Sequence, residues 1–219
     1  MNFRKLYDFL RDLQQNNDKS WMDANRDYYH ALRDEFIDYL DALNARIAKV
    51  DPNFLPKPGR EAINRINNNL LFHPNAPTYK DHFAAGLDAN QNTAALYFHI
   101  GLDANIAAGG FYKPGSDFLK RIRAAIDYDG EELRAIINSK PFQKTFGGLM
   151  EVEMLKTSPK GYTQDHRHID LLRHKSFVVS HTFTQAEVQR ADFTERVVEV
   201  FETMAPFRAY LNRAVSVEA

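Results

Sequence analysis

Apolar residues recur at helical spacing from the start of the chain. Phe3, Leu6, Leu10 and Leu13 share a face, and Asn16-Asn17-Asp18 ends the run. The spacing predicts a second, long helix from Asp18 to Val50. Its stripe is Trp21, Tyr28, Leu32, Tyr39, Leu43 and Ile47, with Phe36 and Leu40 beside it. Asp51-Pro52-Asn53 and Pro56-Lys57-Pro58-Gly59 close it, because proline neither donates to nor continues a helix. Asn25 falls on the apolar stripe, where an amide needs partners or costs about 1–3 kcal/mol. A structural hydrogen bond to the following loop is the expected answer.

The period then shortens. Glu61 to Asn67 reads as a strand, and Asn67 to Thr78, rich in asparagine and proline, as a polar connection. Phe83–Leu87, Ala94–Leu102 and Ile106–Tyr112 read as strands joined at Asp88-Ala89-Asn90 and Asp103-Ala104-Asn105. Leu96, Phe98 and Ile100 alternate with Tyr97 and His99, as two faces of one strand require. Phe118, Ile122, Ile126, Leu133, Ile136 and Ile137 return to helical spacing. Met150–Leu155 and Ser176–Phe183 read as further strands, with a short helix from His168 to His174 between them. Thr184 and Glu187 have the spacing of a capping box. A closing helix follows, with Phe193, Val197, Val200, Phe201, Met204 and Phe207 inward and Pro206 near a bend. The expected architecture is one α+β domain over 1–219: a helical pair (1–50), a mostly antiparallel sheet with inserted helices (60–183) and a C-terminal helix (184–215).

Composition removes several classes of function. The 219 residues are 44% hydrophobic and 26% charged, the balance of an ordinary globular chain. The 28 Lys and Arg against 29 Asp and Glu leave a formal charge of -1, so nucleic acid is a disfavoured partner. The absence of cysteine rules out disulfides, zinc–thiolate and iron–sulfur sites, and a cysteine nucleophile. No stretch approaches the roughly 20 apolar residues of a spanning helix, and the N-terminus lacks an apolar signal core. Cytoplasm is the expected location, with no membrane partner. Phosphate-loop, dinucleotide, nucleophile-elbow, zinc-helix and calcium-loop motifs are absent, and no cofactor is expected. A protein partner and the oligomeric state are left open.

Candidate chemistry concentrates between Leu155 and His181. That segment carries Lys156, Lys160, Arg167, Arg173 and Lys175 against only Asp165 and Asp170, together with His166, His168, His174 and His181. Lys156, Lys160, Arg173 and Lys175, joined by Lys80 and Arg26, would hold the phosphate or carboxylate of a small ligand. Pro159-Lys160-Gly161-Tyr162 is a turn that would present its lysine, and Tyr162 would stack on the ligand. His166 and Asp165 would form an acid/base pair, the carboxylate orienting the imidazole. An alternative is a metal-dependent hydrolase. On an extended segment His166 and His168 point the same way, and Asp165, Asp170, His82 or His99 would complete the set. The plainer readings are a solvated basic face, capping residues at a short helix, and a non-enzymatic protein-interaction domain.

Four blocks of sequence carry a family resemblance. They are Asn16-Asn17-Asp18-Lys19-Ser20-Trp21 with Asn25-Arg26-Asp27-Tyr28-Tyr29; Arg65-Ile66 through Phe72 to Tyr79-Lys80-Asp81-His82-Phe83; Gly109-Gly110-Phe111-Tyr112-Lys113-Pro114 with Arg123; and Leu155-Lys156, Pro159-Lys160-Gly161-Tyr162, Asp165-His166 and Leu171-Leu172-Arg173-His174-Lys175. Together they resemble the domain-of-unknown-function family 2461, mainly bacterial proteins of unknown function. The resemblance implies no reaction. The family's pattern has a charged signature in the second block, R-D-x-R-F followed by an acid, a lysine and a tyrosine. Here Asn68, Asn69 and Leu71 stand at the first three charged positions, and Asn75 and Ala76 at the next two. The arginine fork that would clamp an anion is therefore gone. Either this member has lost the family's activity, or the signature was an internal ion-pair network replaced as a unit. The second is the expectation, since losing one partner alone strands a buried charge.

Overall fold

Asn2 and Asp18 begin the first two helices by capping them: Asn2 Oδ1 accepts from the Lys5 amide at 3.1 Å and Asp18 Oδ1 from the Trp21 amide at 2.9 Å. The structure, a computed structural model, describes residues 1–90 and 92–216. Helix α1 spans Phe3–Gln15, as the spacing predicts. The expected long helix is divided into α2 (Lys19–Ala24) and α3 (Arg26–Val50), because Asn25 leaves helical geometry at φ -108°, ψ 14°. Its side chain does not reach the following loop. Nδ2 turns back to the Trp21 carbonyl at 2.9 Å, satisfying itself on the preceding turn.

The strand expected at Glu61–Asn67 does not form. Pro58 opens a single helical turn, α4 (Gly59–Ala62), and the chain then makes only isolated bridges, Ile63 to Ala85 and Asn67 to Tyr79. Strands β1 (His82–Gly86), β2 (Ala95–Gly101), β3 (Asn105–Phe111) and β4 (Phe177–Thr182) make one sheet in the order β1-β2-β3-β4. It is antiparallel: β1 pairs with β2 from His82–Gly101 to Gly86–Tyr97, and Leu102–Ala104 turns β2 into β3. Leu96, Phe98 and Ile100 are buried while Tyr97 and His99 are half-buried, so the predicted faces hold.

Helix α5 (Ser116–Ile137) kinks at Asp129, and α6 (Lys140–Phe146), capped by Ser139, follows it. Gly147 stops α6 at φ +71°, where a Cβ would be strained. The strand expected at Met150–Leu155 is irregular, because Glu153 takes φ +51° and breaks the extended run. Met150 still donates one backbone bond to Val178 at 3.0 Å. The short helix α7 (Ile169–Leu172) lies within its expected span. The expected C-terminal helix is two elements: α8 (Gln185–Val188), held by the Thr184–Glu187 capping box, and α9 (Phe193–Ser216), which contains Pro206. The α+β class stands. Among the described residues no helix is long and apolar enough to cross a membrane.

The chain divides into two compact units. The first comprises Met1–Ala89, Tyr97–Ala107 and Thr182–Val198, and the second comprises Asn90–Leu96, Ala108–His181 and the chain from Glu199 onward. In the first, Phe36 packs edge-on to Phe83 at 5.5 Å and stacks on Phe98 at 6.2 Å, beside the buried Leu6, Leu10 and Leu13 of α1. Buried Asn105 is bonded at both ends of its amide: its Oδ1 accepts the Tyr7 hydroxyl at 2.7 Å and its Nδ2 donates to the Phe183 carbonyl at 3.1 Å. The core of the second unit joins Ile122, Ile126 and Leu133 of α5 with Phe142, Phe177 and Phe207. Gly110, at φ +120°, lies so close to β4 that a Cβ would stand 2.0 Å from the Phe177 carbonyl oxygen.

Candidate functional site

Arg123 and Asp127 lie one helical turn apart on α5, and with Ser116, Lys120, Lys160 and Tyr162 they line a cleft of about 350 Å³ in the second unit. The Pro159–Tyr162 segment is the turn its composition predicts: the Tyr162 amide donates to the Pro159 carbonyl at 3.1 Å, with Gly161 at φ +94°. Two of the predicted ligand residues, Lys160 and Tyr162, therefore meet in this cleft.

Arg123 was legible only as part of the resemblance. Its Nε donates to the Leu172 carbonyl at 3.0 Å and its Nη2 to the His174 carbonyl at 3.2 Å. These bonds hold the guanidinium plane fixed but neutralise none of its charge. Arg123 has no ion-pair partner among the described residues, and burial pushes its acidity above that of a free guanidinium. A half-buried cation that no carboxylate touches directly favours an anion that comes into contact with it.

His166 is oriented by a carboxylate, but not by the expected one. Its Nε2 lies 2.9 Å from Oδ1 of Asp127, whereas Asp165 is exposed and takes a hydrogen bond from Thr163. The Thr163 bond, followed by a backbone bond, holds the Asp165 carboxyl below its usual range. The predicted Asp165–His166 pair is corrected to Asp127–His166. Spacing could not reveal it, because the two residues are 39 positions apart. The ring's tautomer follows from its other contact. The His168 amide donates to His166 Nδ1 at 3.1 Å, so the ring proton is carried by Nε2 and donated to Asp127. Both nitrogens are thus engaged, and the group left facing the cleft is the Asp127 carboxylate. The Tyr162 ring stands edge-on to His166 at 5.8 Å.

The alternative metal set of His166, His168 and Asp165 is not assembled. His168 is fully buried, and its Nδ1 accepts from Arg134 Nε at 3.0 Å. Arg134 also grips Asp170, at 2.5 and 3.1 Å, and the Arg167 carbonyl at 3.2 Å. Burial first, and then the Arg134 charge, keep the His168 ring neutral to lower pH than usual. Among the described residues no three His, Asp or Glu side chains gather as metal ligands.

The remaining predicted cations do not join Lys160 at the cleft. Lys175 lies 3.8 Å from Glu153, whose other oxygen takes Lys113 at 2.7 Å, and Lys156 is exposed without a polar partner among the described residues. Arg26 and Lys80 belong to the first unit. There Lys80 Nζ donates to the carbonyls of Arg65 at 2.6 Å and Asn67 at 3.3 Å, so it serves as a backbone clamp. At the altered signature, Asn68 ties the Asn67–Thr78 loop through the Pro77 carbonyl at 2.8 Å. Leu71 is 85% exposed and Asn75 is exposed as well. Charges at those two positions would stand in solvent, so a buried network replaced as a unit does not describe them.

No curated protein and no solved structure matches the chain. A family model described as conserved hypothetical protein, DUF2461, matches residues 5–210 of the 219, and the chain belongs to that family.

Proposed function

We propose that the protein binds a small phosphorylated or carboxylated ligand in the cleft of the second unit. The observation that carries this reading is Arg123, a half-buried guanidinium held by two backbone carbonyls and in direct ion-pair contact with no carboxylate among the described residues, although Asp127 borders the same cleft. Its remaining N–H groups are free to fork onto an anion's oxygens, the contact for which guanidinium geometry is best suited. Lys160 and Lys120 add charge from the turn and from α5, and Tyr162 supplies an aromatic wall. Asp127, held by His166, gives the cleft a proton acceptor beside the cations. A ligand with a hydroxyl next to its anion would use both, and such a pairing is the arrangement a general base needs.

The test is thermal unfolding of the whole chain against inorganic phosphate, sugar phosphates and small carboxylates. A ligand at 100 times its dissociation constant contributes about 2.7 kcal/mol, or roughly 5–10 °C at this size. The stabilisation is expected in the wild type and absent in Arg123→Ala. A flat response to all of these anions, or an equal response in Arg123→Ala, would overturn the reading.

A further inference from the structure

We infer that the first unit carries a second, independent anion site, built from the start of α2 and α3 and the stem of the Asn67–Thr78 loop, and that it takes an organic phosphate with an apolar body. The site is a cleft of about 360 Å³ whose lining includes Lys19, Arg26 and Arg65 but no carboxylate. Lys19 and Arg26 share one acid, Asp23, with Lys19 Nζ at 2.6 Å from it and Arg26 bonded to its other oxygen. Arg65 has no ion-pair partner among the described residues. From Ala62 to Lys80 the chain has no Asp or Glu at all. Three cations answered by one carboxylate leave the cleft with a net positive field, and the Arg65 charge, after burial, is the second cause that lowers the Lys80 pKa.

The walls of the cleft are fixed, not incidental. Asn17 bonds both peptide groups of Tyr79, accepting its N–H at 2.8 Å and donating to its carbonyl at 3.0 Å. Lys80 clamps the Arg65 and Asn67 carbonyls on the opposite side of the stem. Met22, Ile66 and Tyr79 line the cleft with little exposure, at 2%, 5% and 6%, so part of the floor between the cations is apolar, beside the polar Asn67 and Thr78. That combination suits a phosphate on a hydrocarbon or ring better than a bare ion. The cations take the oxygens while the body covers the floor. With no carboxylate in the lining, the cleft offers no proton acceptor of the kind that Asp127 provides in the other unit.

Phenyl phosphate is the probe, titrated calorimetrically into the full chain and into Arg65→Ala, Arg26→Ala and Arg123→Ala. The Arg65 side chain makes no hydrogen bond or ion pair among the described residues, so Arg65→Ala is expected to unfold at the wild-type temperature. Loss of one charge-assisted contact weakens binding roughly 10- to 100-fold. The expected pattern is that weakening in Arg65→Ala and Arg26→Ala, a further site still present in Arg123→Ala, and weaker binding of inorganic phosphate than of phenyl phosphate. The inference is overturned if the wild type shows no binding at millimolar probe, if Arg65→Ala binds as the wild type does, or if Arg123→Ala abolishes all binding. The last result would assign the probe to the other cleft and leave that reading intact.

Discussion

The side chain of Asn17 pairs with the backbone of Tyr79 as a neighbouring strand would, with one bond at 2.8 Å and one at 3.0 Å across 62 positions of sequence. This contact fastens the loop stem to the chain between α1 and α2. Asn17→Ala removes both bonds and leaves two backbone groups of the buried Tyr79 without partners. The expected loss is about 1–3 kcal/mol of unfolding free energy in urea. Asn17→Asp keeps the acceptor but sets a carboxylate against the Tyr79 carbonyl, so it is expected to recover little of that loss. An unchanged midpoint in Asn17→Ala would mean that the stem is held by Lys80 and by its own bonds, such as those from the Asn68 and Lys80 amides, without help from Asn17.

Gly130 is the one residue type that fits beneath His168. A Cβ built there would stand 2.6 Å from the imidazole Cδ2, and the ring is fully buried with Arg134 on its Nδ1. Gly130→Ala must therefore displace either α5 or the ring, at a cost of about 1–3 kcal/mol. Because the His168 amide fixes His166 Nδ1, the same variant is expected to disturb the His166–Asp127 pair. The imidazole proton shifts of both histidines, followed by NMR, would report it. A wild-type melting temperature with unmoved imidazole signals would refute the packing argument.

Part of this structure is legible in the sequence alone. The alternation of Leu96, Phe98 and Ile100 with Tyr97 and His99 needs only neighbouring residues, and the capping box needs only Thr184 and Glu187. Asp127 could not be chosen over Asp165 in the same way, since its approach to His166 depends on how α5 packs against the Pro159–His174 segment. The Met150–Leu155 run alternates apolar and acidic residues like a strand, yet the positive φ of Glu153 is not written in side-chain type. The position of Asn25 on the stripe shows that its amide needs a partner, but which carbonyl it finds is a matter of local geometry. Arg123 and Lys160 were visible as residue types. What makes them a candidate site, a cation left unpaired beside a turn, is a relationship that exists only after folding.

His99 makes stability depend on pH. It stacks on His82 at 4.1 Å and contacts the Tyr97 hydroxyl through Nδ1 at 3.0 Å, while Asp81 bonds His82 at 3.1 Å. Burial, with the His82 charge second, pushes the His99 pKa from 6.5 down to about 4. The folded state thus binds fewer protons than the unfolded state between those values, and stability rises with pH across that window. On acidification it begins to be lost near 6.5 and the loss is complete near 4. For a partly exposed ring this amounts to no more than about 2–3 kcal/mol. His168 and His174, also lowered by burial, act in the same direction. Urea midpoints measured across this range should fall on acidification in the wild type and fall less steeply in His99→Gln. Parallel curves would show that His99 does not titrate differently in the two states.

Asp127 offers a signed test of which carboxylate faces the second unit's cleft. Asp127→Asn keeps an oxygen that accepts from His166 Nε2, so the fold should change by less than about 0.5 kcal/mol, as for most surface sites. What it removes is a negative charge beside Arg123 and Lys160. An anion entering the wild-type cleft works against that charge by roughly 1 kcal/mol at a partly hydrated separation. Inorganic phosphate should therefore bind roughly threefold to tenfold more tightly to Asp127→Asn, by calorimetric titration at low salt, with the difference shrinking as salt screens it. Asp165→Asn, which neutralises a carboxylate outside the cleft lining, is the control and should leave the affinity where it was. If the two variants behave alike, the effect is one of net charge and Asp127 does not border the bound anion. If only Asp165→Asn tightens binding, the pairing of His166 would have to be assigned to the carboxylate beside it in sequence.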